Sequence, residues 1–116
     1  MHIHYISEQN SILNHFLAQL RDVHIQKDSM RFRKNMERIG EIMAYELSKT
    51  LPYKEVAVQT PLGVKNTMVI EDNVVLCSIL RAGLALHTGF MNFYDDAENG
   101  FVSASRIHGA TEIKVE

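Results

Sequence analysis

Val74-Val75-Leu76-Cys77-Ser78-Ile79-Leu80-Arg81-Ala82-Gly83-Leu84 is the stretch that decides the architecture. A continuous apolar run rich in Val and Ile, ending at an arginine and a glycine, reads as a strand over 74–79 buried on both faces. Arg81-Ala82-Gly83 reads as a tight turn. From Leu84 the period changes, and Leu84, Leu86, Phe90, Met91, Phe93 and Tyr94 mark a helix over 84–94 lying back on the sheet. A strand, a short loop and a helix N-terminus make a natural anion site, because unpaired N–H groups and the helix dipole face the loop. Arg81 adds a forked, permanently charged donor. The chemistry of this corner is phosphate handling.

Outward from it, Phe101 to Ser105 forms the next strand, after a polar loop from Asp95 to Gly100. Ile113 to Val115 forms a third, weaker one. Strand, helix and strand make a βαβ unit with parallel strands. Arg81 and Arg106 then follow the carboxyl ends of neighbouring strands, the edge where open parallel sheets bind ligands. Two guanidinium groups converging there signal more than either alone.

Upstream, Ile12, Leu13, Phe16, Leu17 and Leu20 predict a helix over about 11–22. Ser29 is the expected N-cap of a longer helix reaching Lys49, with Phe32, Met36, Ile39, Met43 and Leu47 as its apolar stripe and Pro52 beyond its end. Gly40 costs that helix about 1 kcal/mol relative to Ala, which points to close packing there. Val56 and Val58, then Val64 to Ile70, alternate about the turn Pro61-Leu62-Gly63 and predict a hairpin. The organisation is a single partial domain over 1–116: N-terminal helices at 1–52, a β-hairpin arm at 53–73, and the start of an α/β core at 74–116.

Composition narrows the function classes. The chain has 116 residues, net charge −2 and 46% hydrophobic residues, ordinary for one globular unit. Nothing in the bulk charge favours nucleic acid or an anionic membrane. No apolar run approaches the ~18 residues that span a bilayer, and the N-terminus lacks the layout of a signal peptide. A soluble cytoplasmic protein is expected. The single cysteine, Cys77, reads as a small core residue. Lys27, Arg31, Arg33, Lys34 and Arg38 read as a solvated face with Glu37 and Glu41 among its partners, with an RNA or nucleotide contact as the sharper alternative. His2 and His4 are two ligands without a third, not a zinc site. His87 reads as a packed or surface side chain rather than an acid or base.

Ser78-Ile79-Leu80-Arg81-Ala82-Gly83-Leu84 resembles the Ile-Leu-Arg-Ala-Gly-Leu signature of uracil phosphoribosyltransferases. Met30-Arg31-Phe32-Arg33, Met43-Ala44-Tyr45-Glu46, Thr60-Pro61-Leu62-Gly63-Val64 and Phe101-Val102-Ser103-Ala104-Ser105-Arg106 resemble that family in the same order. The resemblance implies a type I phosphoribosyltransferase-like fold, with an incomplete parallel sheet, flanking helices and a hairpin arm used in dimer contacts. It implies conversion of uracil and 5-phosphoribosyl 1-diphosphate to UMP and diphosphate in pyrimidine salvage, a pentosyl transfer with no covalent nucleophile and no catalytic side chain named here. Arg81 and Arg106 match the family's diphosphate-binding arginines, Ala82 and Gly83 are implied to supply loop N–H groups, and Mg²⁺ accompanies the diphosphate. A cis peptide at Leu80–Arg81 or Arg81–Ala82 is also implied, as is a homodimer or higher homo-oligomer; nucleic acid and membrane are not expected partners.

Two departures qualify that resemblance. Ser105 stands where the family usually has tyrosine. The Thr-Gly-Gly phosphoribosyl loop and the late Pro-Gly-x-Gly-Asp uracil segment have no counterpart, since Asp95 to Gly100 follows a helix and lacks the Thr-Gly pair. The sequence therefore reads as the front half of such an enzyme, inactive alone. A sheet left open in this way is expected to self-associate. Two other readings stay open: a chain that acts only in assembly, and a regulatory, RNA-binding relative.

Overall fold

The computed structural model describes residues 2–106 and 113–115, and the side chains of all these except Arg106, Ile113 and Lys114. A 3₁₀ turn at Ile6–Glu8 leads to α1 (Leu13–Arg21), and a second at Ile25–Lys27 leads to α2 (Ser29–Ser48). The hairpin strands β1 (Tyr53–Thr60) and β2 (Gly63–Ile70) follow. Then come β3 (Val75–Leu80), α3 (Leu84–Phe93), β4 (Glu98–Arg106) and β5 (Ile113–Val115). The second sheet has the order β3-β4-β5, with β3 parallel and β5 antiparallel to β4.

Asp28, not Ser29, caps α2, its carboxylate accepting from the Arg31 backbone N–H at 3.1 Å. The shorter side chain of Ser29 begins the helix instead. The buried stripe of α2 is also rotated from the expected one. Asn35, Ile39, Gly40 and Ala44 face inward, while Phe32 and Leu47 are exposed. The cause is α3, which crosses α2 where Gly40 meets Gly89, so backbones rather than large side chains make the contact. A Cβ on Gly40 would stand 2.5 Å from the Leu86 carbonyl oxygen, and the close packing expected at Gly40 is found. Around the crossing, Asn92 Nδ2 donates to Glu37 and Glu41. Lys34 donates to Glu37 at 2.7 Å and holds that carboxyl below the usual range. Asn35 joins α1, donating to Gln19 Oε1 at 2.8 Å.

The hairpin is present with both strands largely exposed and a two-residue connection. Pro61 and Leu62 keep negative φ, as a type I turn requires, and Gly63 then takes φ +136°, which side chains avoid.

β3 corrects two expectations. Its Leu76, Ser78 and Leu80 face α3, but Val75 and Ile79 are 62% and 61% exposed, and Cys77 is exposed beside them. Among the described residues the strand is covered on one face only, by α3 with Ala44 of α2 reaching Leu76, and Cys77 is exposed on the other. The strand after α3 also begins earlier than expected, at Glu98 rather than Phe101. The expected polar loop is thus cut to the residues before it, and Val75 pairs with Glu98 while Cys77 pairs with Gly100.

The buried cluster is small: Ala44, Leu76 and Tyr94, with Leu51, Ile70, Val74 and Phe90 against it. Tyr94 donates its phenol O–H to the Ala44 carbonyl at 2.7 Å. Burial, and then the neighbouring Tyr53, raise that phenol above its ordinary value. Folding therefore favours the protonated form, a contribution intact below about pH 10 and lost as pH climbs through the folded value. Tyr94→Phe is expected to cost about 1 kcal/mol at neutral pH through the lost hydrogen bond. It should also flatten the alkaline fall in stability. Urea unfolding of both proteins from pH 7 to 11 checks this, and parallel curves would refute the alkaline part.

Candidate diphosphate site

The site begins where β3 ends. Leu80 is level with Ser103 on β4, so the turn Arg81-Ala82-Gly83 rises at the carboxyl edge of the parallel pair. The Leu80–Arg81 peptide is cis, one of the two positions anticipated. Gly83 is fixed by space rather than φ: a Cβ there would lie 2.9 Å from the Ile79 carbonyl oxygen. Its N–H donates to that same oxygen at 3.0 Å, and Leu84 N–H donates to Arg81 O at 3.2 Å. Of the two amides expected to serve an anion, Gly83's is thus turned inward, and Ala82's has no backbone partner among the described residues.

Arg81 and Ala82 are exposed, and Arg81 makes no ion pair among the described residues. Arg81 lies two residues before Gly83, the cap of α3, which supplies no side-chain bond to the helix start. Arg106 ends β4, three residues past the level of Leu80, so its backbone lies at the same edge. Its side chain, and with it the meeting of the two guanidinium groups, lies outside the described residues. Arg81 lines none of the main cavities. One of them, about 460 Å³, opens at the opposite end of the sheet among Glu71, Asp72, Asp95, Asp96 and Glu98, with Lys54 as its one cation among the described residues. Those carboxylates repel anions, and Asp95 raises the Asp96 carboxyl by hydrogen bonding and repulsion. Arg81 stands at the other end of the sheet, away from that acidic cluster.

On α3, four residues past Gly83, lies a side chain whose bonding partners sequence reasoning missed. His87 is buried, with Nδ1 at 2.5 Å from Ser78 Oγ and Nε2 at 2.7 Å from Asn99 Oδ1. Its ring also tilts against Phe101 at 4.9 Å between centroids. Of the two placements expected for His87, packed or at the surface, the structure shows the packed one, and its polar partners were not legible. Strand register alone could have found them, by placing Asn99 on the covered face of β4.

Comparison with known proteins fits this geometry. The family model described as uracil phosphoribosyltransferase matches residues 6–113. The chain belongs to the uracil phosphoribosyltransferase family. A uracil phosphoribosyltransferase of Porphyromonas gingivalis is 50% identical over 106 residues, covering 91% of this chain and 49% of that protein. One from Methanococcus maripaludis is 40% identical over 114 residues, covering 97% and 48% respectively. Among solved structures, the AQ2163 protein of Aquifex aeolicus superposes with a TM-score of 0.76 at 23% identity, over 96% of this chain and 53% of its own, and shows the shared fold. The chain spans about half the length of the uracil phosphoribosyltransferases it matches. Among the described residues, no helix is long and apolar enough to cross a membrane.

Proposed function

We propose that this chain carries the diphosphate-holding side of a cytoplasmic uracil phosphoribosyltransferase, which in its full-length context converts uracil and 5-phosphoribosyl 1-diphosphate to UMP and diphosphate. The observation that carries the reading is Arg81: an exposed guanidinium on a tight turn at the carboxyl edge of a parallel sheet, inside a chain of this family. As the C1–O bond to diphosphate breaks, negative charge gathers on the leaving group and positive charge on the ribose ring. Uracil N1 supplies the new bond to C1 and loses its proton, so no enzyme nucleophile is required. What the protein must do is hold the departing charge in place. Arg81 is suited to that as a forked donor, with Ala82 N–H beside it and Arg106 as the second cation on β4.

Mg²⁺ enters this reading with the substrate, sharing the charge of the diphosphate. Among the described residues no group of three His, Cys, Asp or Glu could hold a metal ion. A resident site does not fit these residues, and no step is assigned to one. The open apolar face at Val75 and Ile79 supports assembly into a homodimer or higher oligomer, and sedimentation velocity should show association that strengthens with concentration.

The 116 residues contain neither Thr-Gly-Gly nor Pro-Gly-x-Gly-Asp, so the chain alone is expected to bind diphosphate with Mg²⁺ yet form no UMP. Amide shifts of Ala82 in an NMR titration, beside a chromatographic assay for UMP, test both halves. UMP made by the chain alone would overturn the division of labour. A titration without response at Ala82 would overturn the site.

A further inference from the structure

We infer that His87 is a positioning residue for the Arg81 turn, acting through Ser78. The inference rests on the reading of that turn as the diphosphate site. The imidazole is 5% exposed and both of its nitrogens are engaged. Asn99 settles which nitrogen carries the proton. Its Nδ2 donates to the Ala97 carbonyl at 3.2 Å, which leaves Oδ1 facing the ring. The reversed amide would set oxygen against the Ala97 oxygen. Oδ1 can only accept, so His87 Nε2 bears a hydrogen, and in the neutral imidazole Nδ1 accepts from the Ser78 hydroxyl.

These bonds bracket the turn. Ser78 lies three residues before Arg81 on β3, and His87 lies four after Gly83 on α3. Between them, Gly83 N–H reaches Ile79 O at 3.0 Å and His87 N–H reaches Gly83 O at 2.9 Å. The side-chain bridge and the two backbone bonds close one ring around Arg81 and Ala82, and Asn99 fastens that ring to β4. A leucine at 87 would fill the space but leave strand and helix free to slide. Directional bonds fix their offset, which an anion site needs to within about half an ångström.

The test titrates the ¹⁵N-labelled chain with inorganic diphosphate and Mg²⁺, following the Ala82 amide and the His87 ring nitrogens. His87→Asn places an acceptor where Nδ1 was and keeps the Ser78 bond. His87→Gln reaches Asn99 instead, and His87→Leu reaches neither. Diphosphate affinity is expected to fall about tenfold in the Leu and Gln variants, and the Asn variant should recover most of the loss. Ser78→Ala, the gentlest change to the fold, should resemble His87→Leu. In the unsubstituted chain Nε2 should appear protonated, and the ring signals should shift as diphosphate is added. A purely structural role would lower the melting temperatures of the variants yet leave affinity per folded molecule unchanged, and that result overturns the inference. If instead the unsubstituted chain gives no response, or Arg81→Ala leaves the response intact, the site reading itself has failed.

Discussion

Gly89→Ala is expected to lower the stability of the chain by about 2 kcal/mol, taking overpacking of about 1–3 kcal/mol at a tight contact, with part returned by alanine's better helix propensity. The melting temperature should drop by about 10 °C. A Cβ on Gly89 would run into the Glu37 carbonyl oxygen and crowd the Glu41 nitrogen and Gly40 Cα, all of them backbone. No rotamer relieves such a clash, so the helices must move apart. Separation loosens Asn92 from Glu37 and Glu41, and in a molecule with so small a core little else compensates. Gly40→Ala meets the Leu86 carbonyl and should act in the same direction, with the two effects not adding because they open one crossing. Gly63 is the control. Its neighbourhood is empty and only its φ is special, so Gly63→Ala should weaken the hairpin turn without disturbing the core. Circular dichroism melts at 222 nm separate the cases, and an unchanged or raised midpoint for Gly89→Ala would mean that the helices do not cross at these glycines.

Gly40 was legible in the sequence because a glycine costs a helix free energy wherever nothing needs the space. The same logic, applied to the change of period at Arg81-Ala82-Gly83, placed β3, α3 and the turn between them, as found. Elsewhere local pattern competed with tertiary pairing and lost. Asn99 and Gly100 are poor strand formers, yet pairing with Leu76 and Cys77 draws them into β4. An apolar run says that a strand can be buried on both faces, not that both faces are covered, and so Cys77 was misplaced. The α2 stripe was read from the largest side chains, whereas the contact with α3 is made by the smallest. In the site, Arg81 was visible from motif and position. Ser78, His87 and Asn99 were not, because their bonds span two strands and a helix, and no single period links residues 9 and 12 apart.

Arg81→Ala is expected to weaken diphosphate binding by about 10- to 100-fold while leaving the fold intact. The magnitude follows from losing charge-assisted hydrogen bonds worth about 1.5–3 kcal/mol, at roughly 1.4 kcal/mol per tenfold. The fold should survive because Arg81 is exposed, and such substitutions usually change stability by no more than about 0.5 kcal/mol. Arg81→Lys separates charge from shape. A lysine keeps the positive charge but loses the planar fork that grips two phosphate oxygens, so its affinity should fall between the other two. Salt gives an independent reading. An exposed cation is screened within a Debye length of about 3 Å at 1 M, so the gap between the parent chain and Arg81→Ala should narrow as salt rises, while the hydrogen-bonded part persists. Calorimetric titrations with diphosphate and Mg²⁺ at low and high salt resolve both parts. If Arg81→Ala binds like the parent at both, the anion is held elsewhere, and neither the turn nor the helix behind it was built for that purpose.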